Sequence, residues 1–374
     1  MTIITFLLYQ PEVQSLLTFF VSIIILILSA YSILVPTFIW AWVSANYACL
    51  LLYFIGVFTL MRWLARGGRY LDIEKANLEG QTFLITGAGG GIGKETAIEL
   101  AKRGARVILF ARVGNLSEAV SDVKKAARSP ANVVGYVLDL SDLRSIKSCV
   151  EQFMETDDAN RPIAALINNA GVMACPYLKT KDGFELQMGT NHFGHFYFTK
   201  LLLPRLHSSR IVNVSSTAHA LWQVPCDASH YAQMCNPITY NRMSAYALSK
   251  SANILFTREL QRRYAESHKI RSYALHPGGV NTHLDRHMGA GNLIRTLVKP
   301  IRYLLFKTAL EGAQTNLYCA LSNNAKPGAY HSDCQPISVI NKYLEDDKIA
   351  GEWWDYSEKI ITDKLNNIGD QETI

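Results

Sequence analysis

The spacing of apolar and polar positions divides the chain near residue 62. From Val13 to Met61 there is no Asp, Glu, Lys or Arg, and Glu12 is the single charged side chain before Arg62. A bilayer core takes about 20 apolar residues as helix, so this uncharged run is long enough for two spans. The pattern predicts a helical hairpin, from near Leu16 to Leu34 and from near Phe38 to Met61, turning at Val35-Pro36-Thr37 or at Ser44-Ala45-Asn46. One span followed by an interfacial helix rich in Trp40, Trp42 and Tyr47 satisfies the same pattern, because aromatic rings collect at headgroup depth. No basic stretch precedes the run and no small-residue cleavage site follows it, which argues against a cleaved signal peptide. Arg62, Arg66 and Arg69 come next, and by the positive-inside tendency they hold the downstream body on the cytosolic side.

Beyond the Arg66-Gly67-Gly68-Arg69 linker, apolar runs of strand length alternate with stretches of helical period, the pattern of a parallel sheet covered on both faces. Strands are expected at Thr82–Thr86, Arg106–Phe110, Val133–Val137, Ala164–Ile167, Arg210–Val214 and Ile270–His276. Helices are expected at Ile92–Arg103, Ser141–Phe153, Asn191–Leu206 and Ser244–Arg263. The expected organisation is an anchor over 1–64, a linker over 65–80, one α/β domain over 81–350 and a tail over 351–374. The fold class is α/β: a doubly wound parallel sheet preceded by an N-terminal helical membrane anchor.

Composition changes this picture little. At 374 residues, 49% hydrophobic and 18% charged, the chain is neither a disordered segment nor a disulfide-stapled mini-domain. A net charge of +6 without a clustered basic tract gives nucleic-acid binding no support. The seven cysteines form neither a CxxC pair nor a metal-like cluster with histidine, so they read as reduced thiols and no metal is expected. The sequon at Asn115 carries no meaning for a body facing the cytosol.

The first predicted strand runs into Gly87-Ala88-Gly89-Gly90-Gly91-Ile92-Gly93, and a helical pattern starts at once. Glycines there permit a tight turn and close approach of a pyrophosphate, whose charge sits against the amides and positive dipole of the helix N-terminus. Gly87, Gly91, Ile92 and Gly93 are the candidate phosphate-loop residues. At the tip of the second strand, Arg112 stands where a carboxylate would bond the 2′-hydroxyl of NAD, and its fork suits the 2′-phosphate of NADP(H). Asp139, after the third strand, is placed either to meet the adenine edge or to act as an acid at a helix start beside Ser141.

Tyr246 and Lys250 are four residues apart, hence on one face of a helix. A nearby ammonium lowers a phenol's pKa toward the working pH. Together with the glycine loop, Asn168-Asn169-Ala170-Gly171 after the fourth strand and Val214-Ser215-Ser216 after the fifth, this order of motifs resembles the short-chain dehydrogenase/reductase family, with its Rossmann-like sheet, over nearly all of 80–350. Gly93-Lys94-Glu95-Thr96-Ala97, Asn191-His192-Phe193-Gly194-His195-Phe196, Ser215-Ser216-Thr217-Ala218-His219 and Glu311-Gly312-Ala313-Gln314-Thr315 are similar to the microsomal retinol dehydrogenases. Two spans would be longer than the single anchor usual in that group.

The resemblance implies a catalytic set of Asn191, Ser216, Tyr246 and Lys250. Tyr246 would protonate the substrate oxygen, Lys250 would depress the Tyr246 pKa and bond the nicotinamide ribose, Ser216 rather than Ser215 would hold the substrate oxygen, and Asn191 would order a water leading from Lys250 to solvent. Asn168 and Gly171 would line the cofactor, and Pro277, Gly278, Val280 and Thr282 would close over the nicotinamide amide. His192, His195 and His219 take no role from the family and read as structural.

The 29 residues between Ser216 and Tyr246 include Leu221-Trp222-Gln223-Val224-Pro225 and Tyr240, which can wall an apolar pocket. Leu293, Ile294, Leu297, Val298, Ile301, Leu304 and Leu305 alternate with Arg295, Lys299, Arg302 and Lys307; this stretch reads as an ordinary inward-packing lid helix or as a basic amphipathic segment lying on anionic lipid. The expectation is a membrane-anchored, NADP(H)-dependent reductase of lipid aldehydes or ketones, retinaldehyde foremost, on the endoplasmic reticulum and facing the cytosol; self-association is compatible with it. The rivals are an NAD-linked sterol or retinol oxidase and a catalytically silent membrane scaffold.

Overall fold

The computed structural model describes residues 14, 18–23, 38–280 and 299–372. In chain order its main elements are α1 (Phe38–Arg66), β1 (Thr82–Thr86), α2 (Gly91–Ala101), β2 (Arg106–Ala111), α3 (Val113–Ala126), β3 (Val133–Val137), α4 (Leu143–Met154) and β4 (Ile163–Asn168). Then come α5 (Gly194–Leu202), β5 (Arg210–Val214), α6 (Ala228–Met234), α7 (Arg242–Tyr264), β6 (Arg271–His276), α8 (Lys299–Leu305), α9 (Ala309–Leu321), β7 (Tyr330–Ser332), β8 (Gln335–Ile337) and α10 (Asp347–Glu372). Internal contacts separate two units.

The larger unit, Gly68–Pro277 with the chain from Gly312 onward, holds a sheet of strand order β3-β2-β1-β4-β5-β6-β7-β8. Strands β1 to β7 run parallel and β8 returns antiparallel to β7. Because side chains alternate across a strand, Phe83, Ile85, Val107, Leu109 and Val212 join one buried layer, while Leu84, Ile108, Phe110, Leu166 and Ile211 join the other. Burial on both faces explains why these strands read as continuous apolar runs. Strand order reverses between β1 and β4, so the carboxyl ends of those two strands border the crevice where ligands bind in such sheets.

Three local features differ from the sequence expectation. The helix expected over Asn191–Leu206 begins as a π-turn, Gly189–Phe193, before α5, and passes at Pro204 into a short 3-10 turn, Leu203–Arg205. The segment 113–126, left unassigned by periodicity, is helical. The stretch expected to trail as a tail over 351–374 lies largely within α10, whose Trp353 and Trp354 are among the largest fully buried side chains and pack on Phe193, Phe196 and Phe256.

The smaller unit contains α1, residues 278–280 and the chain from 299 to Glu311. Of the two expected spans, most of the first and Thr282 lie outside the described residues, while Phe38–Met61 falls within α1. Among the described residues no helix is long and apolar enough to cross a membrane. Nonetheless α1 exposes Leu51, Leu52, Ile55, Phe58, Leu60 and Trp63. Arg62 lies under the Tyr303 ring and pairs with Glu311, which also accepts the Thr308 amide in a capping box at the start of α9.

Residues 293, 294, 297 and 298 of the expected amphipathic stretch lie outside the described residues. Lys307, counted among its basic positions, is fully buried: its stem packs on Gly278, whose φ of +96° and missing Cβ leave room that any other residue would fill.

Candidate active site

The phosphate loop is built by close approach. Gly87 adopts φ +66°, and a Cβ on it would lie 2.7 Å from Ala170 Cα. A Cβ on Gly93 would lie 2.5 Å from both Asn169 Nδ2 and Gly87 O. Helix α2 starts after Gly90 with no side-chain cap, so its first amides face the crevice chemically free for an anion. This cradle of close-packed glycine backbone fits a dinucleotide pyrophosphate. Gly91 and Ile92 form the first turn of α2, and Ile92 O accepts the Thr96 hydroxyl.

At the outer end of β2, a cleft of about 370 Å³ is lined by Arg112, Val113, Gly114, Asn115, Val137 and Asp139. Arg112 is exposed and makes no ion pair among the described residues. Asp139 has its Oδ1 occupied by the Ser141 amide at 2.9 Å and the Ser141 hydroxyl at 2.6 Å, an arrangement that shapes the turn into α4.

Tyr246 and Lys250 stand one turn apart on α7, which Asn241 caps by accepting the amides of Met243 and Ser244. Both are buried, with Lys250 Nζ 5.7 Å from the Tyr246 ring centre. Nζ donates to Val214 O at 3.0 Å at the end of β5. Ser216 and Ser215 diverge in geometry. Ser215 is buried and spends its hydroxyl on Lys250 O at 2.7 Å. Ser216 is half-buried, and its Oγ accepts the Ala218 amide at 3.1 Å.

Burial pushes the Tyr246 phenol up to about 12, with the Ser216 hydroxyl nearby opposing it, and brings Lys250 down to about 7. The expected lowering of Tyr246 by Lys250 is not seen here: Nζ lies 5.7 Å from the ring centre and donates to Val214 O, and desolvation of the phenolate dominates. Tyr246 is accordingly a protonated acid throughout the neutral range.

Asn191 lies in the π-turn. Its Oδ1 accepts Val172 N at 2.8 Å, and its Nδ2 donates to Val172 O at 3.0 Å and Ser249 Oγ at 2.9 Å. The amide thus braces the chain after β4 against α7. With both Nδ2 protons spent, water ordering by Asn191 is left to lone pairs on Oδ1 and its backbone carbonyl. Gly171 is close by, since a Cβ there would lie 3.2 Å from Asn191 Oδ1 and 3.5 Å from Lys250 Nζ.

Asn168 departs from its expected lining role. Its side chain is buried and donates to Thr199 Oγ1 at 3.0 Å and Asn213 Oδ1 at 2.8 Å, tying β4 to β5 and α5 because a buried amide must find partners. Pro277 ends β6 within the larger unit and is buried; Gly278 and Val280 belong to the smaller unit, where Val280 bridges Lys307.

Two contributors escaped the sequence reading. Thr86 Oγ1 accepts the amides of Asn169 and Ala170 at 2.9 and 3.1 Å and touches His195 Nε2 at 2.8 Å. His195 Nδ1 donates to Asn191 O at 2.9 Å, a bond whose signal was the four-residue spacing of Asn191 and His195. Of the insertion, Trp222 is buried and Tyr240 is pinned to Glu185 at 2.9 Å, so its exposed apolar surface comes from Leu221, Val224, Ile238 and Met243.

Among the described residues no His, Cys, Asp and Glu group could hold a metal. The family model for short chain dehydrogenase matches residues 81–232. Human retinol dehydrogenase 12 is 42% identical over 289 residues, which is 76% of this chain and 87% of that protein. Human retinol dehydrogenase 14 is 39% identical over 316 residues, 80% of this chain and 90% of the relative. A crystal structure of an uncharacterized protein from Mycobacterium Paratuberculosis superposes with TM-score 0.57 at 34% identity, covering 75% of this chain and 93% of its own. The chain belongs to the short-chain dehydrogenase/reductase family, oxidoreductases whose fold binds a nicotinamide dinucleotide, and resembles the retinol dehydrogenases within it.

Proposed function

We propose that this protein is a membrane-associated oxidoreductase working with NADP(H) on a lipophilic carbonyl or alcohol, retinaldehyde and retinol being the foremost pair. The observation that carries the reading is the buried pair Tyr246 and Lys250, with half-buried Ser216 at the end of β5, beside the crevice at β1 and β4. A bound NADPH supplies the hydride. The residues supply position and protons: Ser216 holds the substrate oxygen, Tyr246 gives its phenolic proton to that oxygen, and Lys250 stands behind it to restore the proton. In oxidation the same steps run backward.

Arg112, exposed and with no ion pair among the described residues, supports the 2′-phosphate and hence NADP(H). The exposed apolar row of α1 and the uncharged run before it support membrane association, and the similarity to retinol dehydrogenases supports an endoplasmic reticulum location with the catalytic domain toward the cytosol. Purified full-length protein in detergent, offered NADPH or NADH with retinaldehyde, tests the proposal. Turnover with NADPH at least about tenfold more efficient than with NADH is expected; a tenfold preference for NADH rejects the Arg112 assignment, and Tyr246→Phe with unchanged turnover rejects the catalytic one.

A further inference from the structure

The residue after Asn191 faces the other way. His192 is fully buried in the π-turn, and its Nε2 meets two groups from α10: Trp353 Nε1 donates to it at 3.0 Å and Ser357 Oγ lies 3.0 Å away. An indole N–H only donates, so Nε2 carries no proton and the ring's hydrogen is on Nδ1. Ser357 Oγ also lies 2.7 Å from Trp353 O, one turn back on the same helix, which fixes the pair relative to each other. Stacking of Phe193 on Trp353, with ring centres 6.3 Å apart, adds a second hold on the same turn.

His192 Nδ1 has no hydrogen-bond partner among the described residues, and burial holds the ring neutral. Asn253 Nδ2 donates to Val214 O at 3.2 Å, the carbonyl that also receives Lys250 Nζ at 3.0 Å. On one side of the π-turn, then, Asn191 braces Val172 and Ser249. On the other, His192 ties the turn to α10 through Trp353.

We propose that Trp353 and Ser357 of the C-terminal helix are positioning residues for hydride transfer, acting through His192 to hold the π-turn so that Asn191 keeps its brace between Val172 and the Lys250 helix. This rests on the oxidoreductase reading. Packing alone would make Trp353 a stabilising residue with no effect on chemistry. Its neighbour provides the comparison: Trp354 is equally buried, stacks on Phe256, and its Nε1 has no hydrogen-bond partner among the described residues.

The test uses the full-length protein with NADPH and retinaldehyde, comparing Trp353→Phe, Ser357→Ala and Trp354→Phe. Because small misplacements of reacting groups cost rate strongly, Trp353→Phe and Ser357→Ala are expected to lower kcat roughly tenfold with the KM for NADPH within about twofold. They are also expected to move the limb of the kcat–pH profile that belongs to Lys250, which Tyr246 and His195 also face. Combining them should cost little more than either alone, as members of one unit do. Trp354→Phe should lose thermal stability and keep both kcat and profile. If all three variants lose stability alone, the positioning role is wrong. Should Trp353→Phe not fold, Ser357→Ala carries the comparison, since it removes one oxygen. Amide exchange over 189–195 reads the clamp without turnover: faster exchange in Trp353→Phe and Ser357→Ala, but not in Trp354→Phe, supports it even if the wild type proves inactive and the oxidoreductase reading falls; equal exchange in all three overturns it.

Discussion

Thr86 Oγ1 and His195 Nε2 lie 2.8 Å apart, joining the end of β1 to the turn that carries Asn191. His195 must hold its proton on Nδ1 to donate to Asn191 O, so Nε2 receives the Thr86 hydroxyl. Thr86→Val strands that nitrogen and the amides of Asn169 and Ala170, at about 1–3 kcal/mol for each buried group left unpaired. Denaturant unfolding should show the loss, and Thr86→Ser, which keeps the hydroxyl, should restore most of it.

Acid stability follows from the same burial. Desolvation lowers His192 to about 3, His195 to about 4 and His219 to about 4, all below the ordinary 6.5. The unfolded chain therefore takes up protons first as pH falls. The stability these rings contribute is fully present above about pH 6.5 and is lost progressively toward pH 4, on the order of several kcal/mol in sum. Melting temperature measured from pH 7 to pH 4 should fall steeply, and His195→Gln should flatten the slope at the cost of a lower starting value.

The parts of the site that were legible in sequence are those made by local spacing. Tyr246 and Lys250 share a helix face at any register, and glycines between a strand and a helix announce a tight turn. What escaped depends on distant partners. The π-turn at Gly189–Phe193 forms where Asn191 reaches back to Val172 and where Gly194 lets Leu140 O approach within 2.4 Å of its missing Cβ. Helix α10 looked like a tail because its charges outnumber its apolar residues locally; its value lies in Trp353 and Trp354, which meet rings about 100 to 160 residues away. Asn168 sits at a strand end, where sequence leaves its direction open, and turns inward because Thr199 and Asn213 accept its amide.

The buried acid and ammonium set the pH dependence of reduction. Tyr246, near 12, stays protonated through the neutral range, whereas Lys250 loses its charge as pH rises through about 7. Reduction that relies on Lys250 to resupply the Tyr246 proton should fall on the alkaline side of about pH 7. Tyr246→Phe should lower kcat by about 10²–10⁴, the usual worth of a positioned general acid. Initial rates with NADPH from pH 5.5 to 9 check both; a flat profile in the wild type would remove Lys250 from the proton path.

Gly93 tests the phosphate cradle independently of chemistry. A methyl there meets Asn169 Nδ2 and Gly87 O at 2.5 Å, and since the second is backbone, the loop itself must shift. Gly93→Ala should destabilise the fold by about 1–3 kcal/mol and weaken both dinucleotides alike, because the pyrophosphate is common to NADH and NADPH. Fluorescence titration with each cofactor would show parallel losses; an effect confined to one of them would place Gly93 elsewhere.

Arg112 predicts the opposite signature. It caps no amide with its side chain, stands exposed at the start of α3, and shares its cleft with Asp139, whose Oδ1 is already engaged by Ser141. A guanidinium free of ion pairs among the described residues loses little on meeting a phosphate, and a charge-assisted bond of about 1.5–3 kcal/mol corresponds to roughly a ten- to hundredfold change in affinity. Arg112→Ala should therefore raise the Kd for NADPH by that factor while leaving the Kd for NADH within about twofold. Arg112→Asp should go further and reverse the preference, because the new carboxylate repels the 2′-phosphate and accepts the 2′-hydroxyl of NADH. Equal losses for the two dinucleotides in Arg112→Ala would assign the 2′-phosphate to another cation.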